Sequence, residues 1–215
     1  MSEITTKTRI LDTAEQLFAS QGFAGTSLRA IIKDAEVNTA SVHYHFGSKE
    51  GLIEAVLLRR AGPVNAKRLE SLDELERGHP TGTLPLESVL EAFLAPAVEK
   101  HFGKSGRDEL LPKLFGRAVA DPDEKLRRII HDIFQKVFER FTDAFMRALP
   151  DLSQQDVEWR MHFMIGAMFF AVTVPRIHDA GGHTTRDPIR TIARLVDFIS
   201  GGMRSPVTEI PREPR

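Results

Sequence analysis

The 215-residue chain reads as all-α, a small N-terminal helical module followed by a larger helical body. Apolar residues recur at spacings of three and four rather than two, and prolines and glycines fall between the periodic stretches. The longest uncharged apolar run, 163–175, is 13 residues and suits a buried helix. It is short of the roughly 20 residues that cross a bilayer. The N-terminus, MSEITTKTRIL, has no apolar signal-peptide core, so a cytoplasmic protein without a membrane partner is expected. Hydrophobic residues at 41% and charged residues at 27% are an ordinary globular balance. The absence of cysteine excludes disulfides, cysteine nucleophiles and Cys-ligated zinc or iron–sulfur centres, and it fits a reducing compartment. A net charge of −1 gives no whole-chain pull toward nucleic acid, so any such function must come from a local arrangement.

The first helix is expected over 6–21, with Ile10, Leu11, Ala14, Leu17 and Phe18 in one apolar stripe. Gly22 supplies the left-handed stop, and Phe23 folds back behind it. Thr26 and Ser27 offer oxygens to cap a second helix over 28–35, which turns Leu28, Ile31, Ile32 and Ala35 inward. After Glu36-Val37, Asn38 caps a third helix of about two turns, 39–45. Phe46-Gly47 breaks it. Ser48 caps a fourth helix over 48–61, with Leu52, Ile53, Val56 and Leu57 on its apolar face. Gly62-Pro63 predicts a boundary or kink, because proline disfavours helical geometry in the residue before it, and a fifth helix then runs to about Arg77. Residues 78–85 read as a loop. Helices follow at 86–102, 108–120, 123–148, 154–178 and 187–201, nine to ten in all, with Asp121-Pro122, Pro150 and Gly181-Gly182 separating the later ones. The expected division is 1–50 for the reading module, 51–204 for the helical body and 205–215 for a loose tail, with 48–61 as the connector.

Two short helices joined by a tight turn suggest a helix-turn-helix. Ile31, Ala35, Val37 and Val42 are apolar where the two must touch, and Leu17, Phe18 and Phe46 close a three-helix core. The exposed side of the third helix then reads Asn38, Thr39, Ser41, His43, Tyr44 and His45. Short polar groups and flat rings without a carboxylate are what a helix entering a major groove needs. Arg29 and Lys49 add positive charge, and backbone N–H groups around 48–50 suit a phosphate oxygen. Residues 1–60 hold seven Lys+Arg and seven Asp+Glu, so modest nonspecific affinity is expected, with more weight on dimerisation and specific contacts. Each residue alone has a plainer explanation. Tyr44 could pack, Lys49 could be merely solvated, and His43 with His45 at i, i+2 diverge too far for a metal pair.

The stretch 8–57 resembles the N-terminal DNA-binding region of the TetR family of bacterial transcriptional regulators. The resemblance rests on A-x-x-L-F-x-x-x-G-F, the T-S-L-R helix start and the segment Y-H-F-G-S-K-E-G-L. It implies that Thr39, Ala40 and His43 face bases, that Arg29 reaches a base or phosphate, and that Tyr44, His45 and Lys49 hold phosphates. Two positions depart from the family pattern. Glu36 stands where a turn glycine is frequent and Ile32 where a small residue is frequent, so a reshaped or strained turn is expected.

In the resembled family the C-terminal part binds an inducer and dimerises through its last two long helices. Here helix 154–178 is apolar almost all round, and Gly166 allows another backbone to come close. A homodimer buried on Trp159, Phe163, Gly166, Phe170, Ile192, Leu195 and Ile199 is expected; the alternative is that these residues form the inner core of a monomer. A twofold pair also presents two recognition helices at the roughly 34–36 Å repeat of a palindromic site. Eleven of the 14 Phe lie after residue 60, and Phe134, Phe138, Phe141 and Phe145 form a stripe. With Phe102, Phe115, Met161, Met164 and Met168 facing it, an apolar effector pocket is expected, against the plainer option of a packed core. The stretches GRAVADPDEKLRR, RRAGPVNAKRLESLD and ALPDLSQQDVEWRMHFMIGA are similar to a subgroup that responds to long-chain fatty acids. That likeness implies a fatty-acid or acyl-CoA effector whose acidic head could meet Arg117, Arg160 or His162. Arg117 with Asp121 and Arg160 with Asp156 could equally be i, i+4 pairs.

The expected function is a dimeric repressor released from a palindromic DNA operator by a small apolar effector. The alternatives are a helical adaptor that binds only protein and a DNA-binding regulator without a small-molecule ligand. No enzyme, cofactor or metal is expected. Walker A, G-x-G-x-x-G, G-x-S-x-G and H-E-x-x-H are all missing, and His131-Asp132 and His178-Asp179 are adjacent pairs that diverge on a helix.

Overall fold

The structure, a computed structural model, describes residues 5–102, 110–173 and 187–207. Expectations for 108–109, 174–178, Gly181-Gly182, His178-Asp179 and the end of the tail, 208–215, lie outside the described residues. Nine α-helices and no strand occur among the described residues: α1 (Thr6–Gln21), α2 (Leu28–Asp34), α3 (Thr39–Phe46), α4 (Lys49–Gly78), α5 (Leu86–Phe102), α6 (Leu110–Ala120), α7 (Glu124–Ala148), α8 (Gln154–Thr173) and α9 (Pro188–Arg204). None of these helices is long and apolar enough to cross a membrane.

One boundary differs from expectation. Gly62-Pro63 does not end a helix, and α4 is a single 30-residue element with Pro63 inside it. Proline removes one intrahelical hydrogen bond and crowds the preceding turn, at a cost of about 3 kcal/mol. Packing outweighs that loss here. Leu57, Ala61, Val64, Asn65 and Arg68 are all buried on one face around the proline, whose own ring points to solvent.

The contacts group the chain into two compact units. The first unit comprises Met1–Ala66 and Gly103–Lys136, the second Lys67–Phe102 and Val137–Arg215. Helices α4 and α7 therefore each contribute to both. In the first unit, Ile10, Ala14, Phe18, Ile31, Val42, Leu52 and Val56 pack with Leu114, Ala118 and Leu126 from α6 and α7. Helix α6 lies against α1, and the Arg117 guanidinium donates to the Ser20 carbonyl at 2.8 Å. In the second unit, α5 packs against α9 and α8 around Leu90, Leu94, Phe141, Phe145 and Met161.

A cation lies in that second core. Arg68 is 4% exposed, its guanidinium 4.1 Å above the Phe93 ring, and its Nε donates to the Phe93 carbonyl at 2.8 Å. Desolvation pushes its pKa down to about 10.

Candidate nucleic-acid interface

The N-terminal module is assembled by side chains that close the ends of its short helices. Gly22 terminates α1 at φ 82°, and its N–H donates to the Phe18 carbonyl at 3.0 Å. The buried Thr26 hydroxyl donates to the Gly22 carbonyl at 2.8 Å, and the Ser27 hydroxyl accepts from the Ala30 N–H at 3.1 Å, starting α2. Asn38 Oδ1 accepts from both the N–H (2.8 Å) and the hydroxyl (2.9 Å) of Ser41, starting α3. Such caps are each worth about 1 kcal/mol, a large share of the stability of a two-turn helix.

The turn between α2 and α3 is a Schellman arrangement. The Glu36 N–H donates to the Lys33 carbonyl and the Val37 N–H to the Ile32 carbonyl, both at 3.2 Å. Glu36 occupies the left-handed position with φ 51° and is the one non-glycine residue of positive φ among those described. An L-residue with a β-carbon pays roughly 1–2 kcal/mol for that conformation. The strained turn expected from Glu36 is thus present. Ile32 and Val37, the pair that accompanies this cap, both pack against the first unit's core.

Val42, 1% exposed, anchors α3 in the core, and the half-buried Phe46 packs against the same core at its end. Asn38, Thr39, Ala40, His43 and Tyr44 are exposed, Tyr44 by 86%, while Ser41 and His45 are half-buried. Tyr44 therefore does not pack away; its ring meets that of His45 edge-on at 5.0 Å. His43 Nδ1 lies 2.9 Å from the Gly47 carbonyl. Since a carbonyl only accepts, Nδ1 carries the proton in the neutral ring, which leaves Nε2 as an acceptor. The face so formed offers hydroxyls, an imidazole nitrogen, a phenol and a methyl group, and no carboxylate.

Helix α4 begins beside this face. Ser48 Oγ accepts from the Gly51 N–H at 3.1 Å, and Lys49 opens the helix. The elbow is so tight that a β-carbon on Gly51 would stand 2.2 Å from the Phe46 carbonyl oxygen. Glu50, the acid nearest Lys49 in sequence, is engaged by Lys125 of α7 at 2.9 Å. Hydrogen bonding to Lys125 holds the Glu50 carboxyl below its ordinary range, and the same contact raises the Lys125 ammonium. Asp12 pairs with Arg59 at 2.5 Å, and the buried Glu15 pairs with Arg60. Asp12, Glu15 and Glu50 are thus each paired with a basic side chain, while Arg29 stays exposed on α2.

The residues expected to line an apolar pocket fall into both units. Phe115 and Phe134 stack edge-on in the first, with centroids 5.5 Å apart. In the second, Phe141, Met161 and Met164 are closed into the core, while Phe102 and Phe138 are half-buried against it. Of the proposed headgroup ligands, Arg117 is engaged by the Ser20 carbonyl rather than by Asp121. Arg160 is spent on the end of α9, donating to the carbonyls of Met203 and, at 2.8 Å, Ser205. His162 is exposed, with Nδ1 2.7 Å from the Glu158 carbonyl. A cleft of about 420 Å³ lies elsewhere, in the first unit, between Phe23, Lys49, Glu50, Ile53, Asp121 and Lys125. Among the described residues, no group of three His, Asp or Glu is placed to hold a metal.

The residues expected at a dimer interface separate by helix. Trp159, Phe163, Gly166 and Phe170 form one exposed stripe on α8; Phe163 is 68% exposed, and a β-carbon on Gly166 would meet nothing. Ile192, Leu195 and Ile199 of α9 instead face inward and are buried in the second unit's core, where α9 meets α5. The large apolar residues that α9 exposes are Ile189 and Phe198.

Comparison with known proteins agrees with this geometry. Residues 10–56 match the family described as "Bacterial regulatory proteins, tetR family", and residues 91–202 match "Tetracyclin repressor-like, C-terminal domain". The transcriptional repressor KstR2 of Rhodococcus jostii is 37% identical over 201 residues, 93% of this chain and 92% of that one. The probable regulator YttP of Bacillus subtilis is 46% identical over 52 residues, 24% of this chain and only 25% of that protein's length. The Bacillus subtilis regulator FadR, solved in complex with stearoyl-CoA, has the same fold with a TM-score of 0.67 at 15% identity, covering 91% of this chain and 98% of that one. With family matches at both ends and a relative similar along nearly its whole length, the chain belongs to the TetR family of transcriptional regulators and is not an enzyme.

Proposed function

We propose that the protein is a homodimeric repressor that binds a palindromic DNA operator and is released from it by a small apolar effector. The observation that carries the DNA reading is the outward face of α3: Thr39, Ala40, His43 and Tyr44 stand exposed on a helix fixed by Asn38 and Val42, with no acid among them. In this reading Thr39, Ala40 and His43 meet base edges in the major groove. Arg29, Tyr44, His45 and Lys49 hold phosphates, and Asn38 and Ser41 fix the helix start. The dimer reading is supported by the exposed α8 stripe of Trp159, Phe163, Gly166 and Phe170, an apolar surface that a monomer would leave in water.

The relative KstR2 is a transcriptional repressor, and the FadR structure holds an acyl-CoA. A fatty acid or acyl-CoA is accordingly the first effector class to test. Because Arg117 and Arg160 already donate to main-chain carbonyls, they are poor choices for an acidic headgroup unless those bonds open. Selection of bound duplexes from random DNA by the full chain, followed by band-shift titration with and without acyl-CoA, tests the whole reading. A palindromic site that is lost on adding the acyl chain is the expected result. Failure to enrich any sequence would remove the DNA reading, and a site indifferent to acyl chains of every length would remove that effector class.

A further inference from the structure

We propose that Arg9 is a positioning residue for the recognition helix, acting by holding the strained residue Glu36 in its left-handed turn. Arg9 lies on α1, 27 residues from its partner, and its Nη2 donates to the Glu36 carbonyl at 2.9 Å. Glu36 has φ 51°, a conformation glycine adopts freely and glutamate resists. The direction in which the chain leaves this residue sets the path of Val37 and Asn38 into α3. If Glu36 relaxes toward negative φ, the Lys33 and Ile32 carbonyl bonds that close α2 are broken and Asn38 moves with the chain. The local bonds of the cap are those any such turn makes. The Arg9 bond is the additional one, and it ties the carbonyl of the strained residue to a different helix. In this account the α1 guanidinium supplies the constraint that a glycine at position 36 would make unnecessary.

The inference rests on the reading of α3 as the recognition helix, and its test separates the two. Wild type, R9A, E36G, E36Q and the double variants R9A/E36G and R9A/E36Q are compared as full chains. Binding is measured on the duplex that wild type selects from random DNA. R9A is expected to weaken binding roughly tenfold, a coupling of ordinary size for groups in direct contact. The same loss is expected in the E36Q background, where the charge is gone and the strain remains. In the E36G background the loss is expected to shrink to less than about threefold, because glycine needs no clamp. Amide hydrogen exchange gives a readout that needs no DNA: the Glu36 and Val37 amides should exchange faster in R9A, and at matched rates in E36G and R9A/E36G. An R9A loss that persists undiminished in E36G, with a salt dependence shallower by about one phosphate, would mean that Arg9 contacts DNA directly and would overturn the proposal. Unchanged exchange of the Val37 amide in R9A would overturn it as well. If wild type selects no DNA, the recognition-helix reading fails while the exchange comparison still decides the clamp.

Discussion

Lys49 and Thr39 differ in what they can say to a duplex. Lys49 opens α4 beside the α3 face, and in the proposed complex its ammonium would meet phosphate whatever the base sequence. K49A should weaken binding to all duplexes alike and make log K less steep in log salt by about one unit. Thr39 is exposed on the first turn of α3, and in the proposed complex it would offer a hydroxyl and a methyl to base edges, so T39A should change the order of preferred sequences with little change in salt slope. Binding titrations at several salt concentrations, on the selected site and on single-base variants, distinguish the two. The caps and the exposed polar face were legible residue by residue, since Ser27 and Asn38 announce helix starts by type and spacing, whereas Glu36 stood out only against the family's turn glycine. Arg9, Arg117 and Arg160 were not legible. Each donates to a main-chain carbonyl far along the chain, and a carbonyl carries no residue-type signal. Arg68 was hidden for a related reason: between Lys67 and Leu69-Glu70 it reads as part of a solvated face, yet it lies in the core over Phe93.

At the level of helices, periodicity located the helical stretches, though it divided α4 in two, and it could not say what covers each face. In α9 the apolar positions 192, 195 and 199 were read as a seam between copies; α5, in the same unit, covers them. In α8 the apolar stripe at 159, 163, 166 and 170, the proposed seam, stands exposed. F163E should therefore convert a dimer to a monomer in sedimentation while leaving the helical circular dichroism intact. I199A should instead lower stability by about 2–5 kcal/mol, as a buried large-to-small change does, without altering assembly. A dimer that survives F163E, or an I199A protein that is stable yet monomeric, would reverse the assignment of the two helices. Helix α4 shows the same limit of local reading. Gly62-Pro63 is a strong breaker signal by chemistry, but the buried residues on both sides keep the helix in one piece.

The ion pair between α5 and α9 has a definite sign with pH. Arg204 grips both oxygens of Glu87, at 2.5 and 2.9 Å, and this holds the Glu87 carboxyl below its ordinary range. Because the folded pKa is lowered, the contact stabilises above the unfolded carboxylate pKa and is lost as pH falls through the lowered one. Both side chains are half exposed, so solvent screens the pair and its contribution is small. E87Q should lower thermal stability slightly at neutral pH and leave a shallower loss on acidification, measurable as melting temperature against pH.

For the molecule as a whole, two helices, α4 and α7, belong to both compact units. If an effector in the helical body weakens operator binding, operator DNA must weaken effector binding by the same factor. Calorimetric titration of the effector with and without the selected duplex checks this equality, and equal affinities in both conditions would show that the ligand is no inducer. The first unit is also finished late in the chain. Phe18, Ile31 and Val42 share their core with Leu114, Ala118 and Leu126, supplied from residues more than fifty positions beyond the end of the helix-turn-helix. A gene truncated after residue 66 should yield a poorly folded fragment by circular dichroism, with the apolar sides of α1 and α4 left bare. The sequence reader is therefore not a detachable cassette: a chimera meant to carry this specificity onto a foreign regulator must transplant 110–136 along with the amino-terminal helices.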